Sequence, residues 1–217
     1  MDGAYRSAIL LRVFSPHEIH QSTVVTWMDR YPEIFSVCRD YFIGKPDPRI
    51  LSYGCATGEE VLTLRSYFPS AFIVGAEINP CSLSVARKRK VDDRIVFLES
   101  DPAKIRDTGT FDAIFCLAVL QRTPMRVIRK GIVDLKTIYP FEKFEGKVTE
   151  LDSLLNRYGL LIIYNSQYSF TDTRVASRYS PLITAKNIHN KGPLFDRNSI
   201  RLTTGQTSYS VFVKMRN

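Results

Sequence analysis

The sequence predicts an α/β protein built on a Rossmann-like, doubly wound and mainly parallel sheet. Short apolar segments alternate with helical patterns along the middle of the chain. Most of these segments are apolar on both faces, as strands covered by helices on both sides must be. Residues 199–217 alternate between apolar and polar instead, which favours an antiparallel pair closing one edge of the sheet.

The predicted elements follow one another regularly. Helical patterns cover residues 17–26 and 32–42, and Gly44 with Pro46 ends them. Strands are predicted at 49–53, 71–76, 94–98, 111–117 and 160–164, and further helices at 58–67, 80–90 and 148–157. The 217 residues show no repeat or linker and predict one domain. Its parts are a helical N-terminal cap (1–45), a cofactor-binding core (46–170), and a substrate-side segment with the closing strands (171–217).

Composition excludes several classes of protein. No stretch of 18 apolar residues occurs, so no membrane partner is expected, and the N-terminus lacks a secretory signal, which favours a cytoplasmic location. Four scattered cysteines and three histidines predict reduced thiols and no metal site. The net charge of +8 would help a polyanion or an anionic small substrate to approach. The densest run of basic residues, 87–90, ends a predicted helix, where positive charge interacts favourably with the helix dipole. Nucleic acid is therefore a possible partner but not the favoured one.

The stretch ILSYGCATGE contains the first feature that suggests chemistry. Gly54 and Gly58 bracket three residues after the first predicted strand, where ligands of such sheets gather. A glycine-bearing turn alone is equally compatible with a simple end to a strand. Glu77, at the end of the second strand and nineteen residues beyond Gly58, shifts the balance, because a carboxylate there can accept from both ribose hydroxyls.

The charge of the turn separates two classes of cofactor. A dinucleotide places its pyrophosphate at the helix N-terminus, yet the GxGxxG fingerprint is absent and the helix opens with Glu59 and Glu60. Each carboxylate would repel a pyrophosphate by about a kcal/mol or more. S-adenosylmethionine carries a sulfonium and an ammonium instead, which carboxylates attract. Acidic residues also favour helix N-termini in general, but the region fits a cationic cofactor better than an anionic one.

Five segments, in this order, resemble the class I S-adenosylmethionine-dependent methyltransferases: ILSYGCATGEE, VGAEINP, LESDPAKI, FDAIFCLAVLQ and LLNRYGLLIIYNS. The loop GCATGEE is also similar to that of the chemotaxis-receptor glutamate methyltransferases. The resemblance implies that the turn lines the methionine and ribose portion, that Glu59 lies near the amino-acid end and that Glu77 binds the ribose. It further implies an adenine site and residues beside the sulfonium. The implied cofactor residues are Gly54, Cys55, Ala56, Gly58, Glu59, Glu77, Ile78, Asp101, Cys116 and Leu117.

Three departures from the family pattern stand out. Ser52 replaces the acidic residue often found two positions before the first glycine, and Ala56 replaces the middle glycine. Pro102, which has no N–H, follows Asp101, so another donor must hold the adenine ring nitrogen. Asp101 itself has two readings of nearly equal weight: a contact to the adenine edge, or the N-cap of a helix that begins at the next residues.

The sequence indicates least about the methyl acceptor. Trp27, Arg30 and Tyr31 combine aromatic faces with a cation and are candidates for substrate binding. Polar residues after two strands, Gln121, Asn165 and Tyr168, are catalytic candidates, although such loop residues commonly serve packing. The expected function is methyl transfer to a small molecule or a protein side chain. An RNA or DNA methyltransferase and a non-catalytic cofactor-binding module remain alternatives.

Overall fold

The computed structural model describes residues 20–21, 25–190, 192–203 and 209–216. Within them the helices are α1 (Pro32–Tyr41), α2 (Glu59–Tyr67), α3 (Pro80–Arg87), α4 (Pro102–Asp107), α5 (Pro124–Arg129) and α6 (Phe141–Leu154). The strands are β1 (Arg49–Tyr53), β2 (Phe72–Glu77), β3 (Ile95–Glu99), β4 (Phe111–Leu117), β5 (Leu155–Tyr164), β6 (Tyr179–Pro181) and β7 (Val211–Lys214). None of the described helices has the length and apolarity needed to cross a membrane.

The strands form one sheet in the order β3-β2-β1-β4-β5-β7-β6. The pairs among β1 to β5 are parallel, while β7 runs antiparallel to both β5 and β6. The chain returns from the outer strand β3 to β4 in the centre, so the strand order reverses between β1 and β4. The predicted doubly wound, mainly parallel sheet with an antiparallel edge is confirmed.

Helices cover both faces of the sheet because successive strand residues point to opposite sides. On β1, Ile50 belongs to the core beneath α1 and α2, whereas its neighbour Leu51 belongs to the core beneath α6. Both are fully buried. This double burial explains why the strands are apolar throughout. Because β1, β2 and β4 are parallel, their carboxyl ends lie at one rim of the sheet.

Three predicted boundaries around α6 and β5 are wrong. The helix predicted at 148–157 begins at Phe141 and ends at Leu154, and the strand predicted at 160–164 begins at Leu155. Tyr158 and Gly159 form an irregularity inside β5 and not a turn before it: Tyr158 has φ +62°, and a Cβ on Gly159 would lie 2.8 Å from Asn156 O. The helix predicted at 17–26 lies largely outside the described residues, and its described residues are not helical.

The antiparallel edge is assembled differently from the antiparallel pair predicted within residues 199–217. The partner of β7 is β6, which belongs to the segment between β5 and the C-terminus, and the glycine turn at 205–206 lies outside the described residues. A buried carboxylate, Asp152 of α6, holds this edge in place. It accepts hydrogen bonds from Arg178 NH1 at 2.8 Å and Tyr179 Oη at 2.7 Å, and Lys214 Nζ lies 3.3 Å away.

Candidate functional site

The turn after β1 has the backbone conformation that its glycines suggest. Gly54, Ala56 and Gly58 have φ of +80°, +52° and +94°. The N–H groups of Gly54 and Cys55 both donate to Ala76 O on β2, at 2.8 and 3.1 Å. The turn is thereby fixed across the tips of two strands. Ala56 adopts a left-handed conformation that costs a non-glycine residue about 1–2 kcal/mol.

Glu77 joins the turn to the end of β2. Its two carboxylate oxygens accept from Ala56 N at 2.8 Å and from Asn79 N at 2.7 Å. Burial raises the pKa of this carboxyl, and the backbone hydrogen bonds from Asn79 and Ala56 oppose that rise. Each oxygen retains acceptor capacity, so a ribose diol could still be bound.

The two glutamates that open α2 point in different directions. Glu59 forms an ion pair with Arg89, two residues after the end of α3, and accepts a hydrogen bond from Thr57 Oγ1 at 2.6 Å. Glu60 instead lines a narrow crevice beside the turn, and Ser52 Oγ donates to it at 2.7 Å. Burial raises the pKa of Glu60 from 4.5 to about 7, against the opposing effects of the Ser52 hydrogen bond and the positive Arg30.

The resemblance implies that Glu59 lies near the amino-acid end of the cofactor, and this assignment stays a prediction; in the structure Glu60, and not Glu59, lines the crevice. The two are neighbours in the sequence, but successive helical residues point about 100° apart. Ser52 was the available signal. It stands where the family carries an acid, and its hydroxyl now binds a carboxylate supplied by α2.

The aromatic and cationic residues before α1 form the outer wall of this crevice. The Arg30 guanidinium lies 4.5 Å from the centre of the Trp27 ring and 5.0 Å from that of Tyr31. Its NH1 donates to Val25 O at 2.6 Å. The Tyr31 hydroxyl accepts from Asn165 Nδ2 at 3.2 Å. The predicted substrate residues and Asn165 therefore meet next to the glycine turn, with Leu117 also in the wall.

A second cavity, of about 300 Å³, lies on the other side of the turn. Ile78 after β2, Ser100 and Pro102 around the end of β3, and Gly146 and Lys147 of α6 contribute to its walls. Asp101, between Ser100 and Pro102, caps α4 by accepting from the backbone N–H groups of residues 103 and 104 at 2.8 and 3.1 Å. The capping interpretation of Asp101 thus has direct geometric support.

Three other residues predicted to belong to the site have environments different from that of the crevice. Tyr168 is fully buried, donates to Tyr139 O and lies 2.9 Å from Ser199 Oγ, so it does not reach the crevice. Gln121 Nε2 donates to a backbone carbonyl of its own loop at 3.1 Å. Cys116 is buried and its pKa is raised by burial, which keeps the thiol protonated and unreactive.

The fold and the site together define a domain that binds a nucleoside-containing cofactor. Its sheet order reverses at β1 and β4, a glycine-bearing turn follows β1 and a carboxylate ends β2. Residues 50–138 match a family model described as a methyltransferase domain. The predicted resemblance to the class I S-adenosylmethionine-dependent methyltransferases is confirmed for this segment.

Individual proteins are similar to this chain over only part of their own length. An uncharacterized protein, syc1184_c of Synechococcus sp. (strain ATCC 27144 / PCC 6301 / SAUG 1402/1), is 34% identical over 99 residues, or 43% of this chain and 24% of its own. The plantazolicin methyltransferase BpumL in complex with SAH is 15% identical with a TM-score of 0.45, covering 74% of this chain and 58% of its own. The sugar N-methyltransferase KedS8 from Streptoalloteichus sp ATCC 53650 is 20% identical with a TM-score of 0.44, covering 63% and 47%. The chain thus spans less than two thirds of each of these proteins.

Proposed function

We propose that this protein transfers a methyl group from S-adenosylmethionine to a small molecule or a protein side chain. The observation that carries the proposal is that Glu60 and Arg30 both line the crevice beside the glycine turn. One carboxylate and one guanidinium match the ammonium and carboxylate of an amino-acid end. A dinucleotide would present a pyrophosphate to Glu60 there, which is repulsive.

The cofactor would span both cavities, crossing the turn between them. Glu77 would accept from the ribose hydroxyls, and Ile78 would contact the adenine in the larger cavity. Leu117 would lie beside the sulfonium. The crevice is only about 30 Å³, so its walls would have to move apart to admit the methionine chain.

The protein's own contribution to the reaction would be alignment and exclusion of water. When bound, the cofactor supplies an activated methyl group, which passes to a lone pair of the acceptor while sulfur keeps the bonding electrons. Tyr31, which lines the crevice, and Asn165, which donates to the Tyr31 hydroxyl, would orient an acceptor that can form hydrogen bonds. Such positioning contributes much of the rate in displacement reactions. The predicted cytoplasmic location stays a prediction.

Calorimetry with four ligands tests the cofactor assignment: S-adenosylmethionine, S-adenosylhomocysteine, methylthioadenosine and NAD. Methylthioadenosine keeps the nucleoside but lacks the amino-acid end. Glu60→Gln should weaken the first two ligands roughly tenfold or more and leave methylthioadenosine unchanged, because a charge-assisted contact is worth about 1.5–3 kcal/mol. Glu59→Gln is the matched control and should leave all affinities near those of the wild type. Binding of NAD alone would overturn the proposal.

Glu77→Ala tests the nucleoside end in the same assay. Removing this carboxylate should abolish binding of methylthioadenosine as well as of the two larger ligands, since all three share the ribose. It also leaves Ala56 N and Asn79 N without their acceptor, so thermal melting must accompany the titration. Incubating the wild-type protein and radiolabelled cofactor with fractionated cell extract would then show what receives the methyl group. No labelled product in any fraction would favour a module that binds the cofactor without turnover.

A further inference from the structure

The short helix α5 carries apolar side chains that point into solvent. Met125 is 72% exposed and Ile128 is 47% exposed, while Val127 alone among the residues of α5 is buried and fastens the helix to the core. Large apolar residues gathered at one place on a surface usually mark a site of contact.

A second segment extends this apolar surface. The backbone of Arg201 donates to Val133 O at 2.8 Å, and an antiparallel bridge joins Asp134 to Ile200. The backbones of the two segments are therefore adjacent. Val133 and Ile200 are 63% and 45% exposed, and the residue paired with Ile200 is the exposed Asp134. We call the combined area the α5 surface and define it by seven residues: Met125, Arg126, Ile128, Arg129, Lys130, Val133 and Ile200.

The α5 surface is also strongly cationic. No aspartate or glutamate occurs from residue 113 to residue 133, a stretch that contains four basic residues. Three of them, Arg126, Arg129 and Lys130, are exposed. None of these three belongs to an ion pair among the described residues. Apolar and basic side chains thus occur together around α5, while two carboxylates, Asp134 and Asp196, lie at the Ile200 end of the surface.

We propose that the α5 surface docks onto the face of an anionic lipid bilayer. The combination meets both requirements of such a surface, because cations attract acidic headgroups and adjacent apolar side chains enter the boundary of the hydrocarbon. A nucleic-acid backbone would engage Arg126 and Arg129 but leave Met125 and Ile128 in water. The protein would lie on the membrane without crossing it.

The location of α5 links this contact to the cofactor site. The helix follows the loop after β4, and Val119 of that loop lies against Gly54: a Cβ on Gly54 would be 2.5 Å from Val119 Cγ2. Docking through α5 would bring the β4 side of the site towards the bilayer. The docking proposal stands on the surface alone and does not depend on methyl transfer.

Co-sedimentation with vesicles tests the proposal. The full chain should sediment with vesicles of equal parts phosphatidylglycerol and phosphatidylcholine and not with phosphatidylcholine alone. The triple variant Arg126→Gln, Arg129→Gln, Lys130→Gln should weaken partitioning on the order of a hundredfold, from the contribution of each basic residue near an anionic surface. The matched control removes three exposed cations elsewhere, through Arg87→Gln, Lys88→Gln and Lys90→Gln, and should partition almost as the wild type does.

The double variant Met125→Ser, Ile128→Ser tests the apolar part and should also reduce partitioning. All of the altered side chains are exposed, so thermal melting should confirm that each variant folds. Equal losses in the two triple variants would show a net-charge effect only and would overturn the proposal. So would unchanged partitioning of the double variant. Binding of single-stranded RNA, lost in the α5 triple variant, without any sedimentation with anionic vesicles would replace the membrane by a nucleic-acid partner.

Discussion

Contact between Glu60 and the ammonium of the cofactor, as proposed, predicts that cofactor affinity depends on pH. Burial raises this pKa from 4.5 to about 7, so much of the population carries a neutral Glu60 near neutrality. An ammonium group bound in the crevice would favour the ionised form. Binding of S-adenosylmethionine should therefore be linked to loss of a proton from Glu60.

The expected magnitude follows from the ionised fraction. Well below a pKa of about 7, that fraction changes nearly tenfold for each pH unit. The affinity should therefore rise roughly tenfold between about pH 5.5 and pH 6.5, because a ligand that binds one form is weakened by the fraction of that form. The α-amino group of the ligand, with a pKa near 8, stays protonated throughout this range.

Calorimetry in two buffers of different ionisation enthalpy measures both the affinity and the number of protons released. Methylthioadenosine, which has no ammonium, should bind equally well at both pH values. Glu60→Gln should remove the pH dependence for S-adenosylmethionine, while Glu59→Gln should keep it. A dissociation constant that does not change between the two pH values in the wild type would refute the assignment of Glu60 to the ammonium.

Four further outcomes follow from the geometry. Without ligand, Glu60 should add stability that is complete below pH 4.5 and lost as the pH rises through about 7, by at most about 3 kcal/mol, and urea unfolding of Glu60→Gln should lack this trend. Gly54→Ala should lower the melting temperature, because its Cβ would meet Val119 at 2.5 Å in a backbone with φ +80°. Asp152→Ala should cost about 3–5 kcal/mol in urea unfolding, since cations around a buried carboxylate lose their partner. Tyr168→Phe should cost about 1 kcal/mol in the same assay yet leave methyl transfer intact, because the ring is buried in the core.

The sequence predicts most accurately the strands that are buried on both faces. The predicted bounds of β1 and β4 agree with the structure because every residue of β4, and all but the first of β1, is buried. Elements with little burial give no such signal. Helix α5 buries one residue and shows no periodicity, and β6 has three residues of which none is buried.

Local irregularity explains the remaining error in the fold. The pair Tyr158-Gly159 is typical of a turn, and the sequence therefore suggests a helix running up to it. In the structure the glycine is needed for a different reason: Asp112 O of β4 would lie only 2.9 Å from its Cβ. A neighbouring strand that approaches closely and a turn both require glycine. Only the three-dimensional structure shows which of the two causes applies.

The sequence predicts which segments form the candidate site, but it does not predict how the charges of that site are oriented. The spacing from Gly58 to Glu77 depends on strand and helix lengths, which the apolar pattern records. Which of two adjacent glutamates faces the crevice depends on where α2 begins and on what lies beside each one. Arg89, from the end of the α3 region, binds Glu59 and turns it away, and a partner so distant in sequence leaves no local trace.

Ser52 and Glu60 are best understood as one functional unit. In the family pattern the acid near the amino-acid end stands on the first strand, whereas here that strand carries a hydroxyl and the carboxylate reaches it from α2 at 2.7 Å. The hydroxyl lowers the pKa of Glu60 and thereby offsets part of the cost of burial. Ser52→Ala should therefore raise the pKa of Glu60 further and move the pH dependence of cofactor affinity upward, without removing it. Ser52→Ala with an unchanged pH profile would mean that the hydroxyl only fills space, and that Glu60 is held in the crevice by α2 alone.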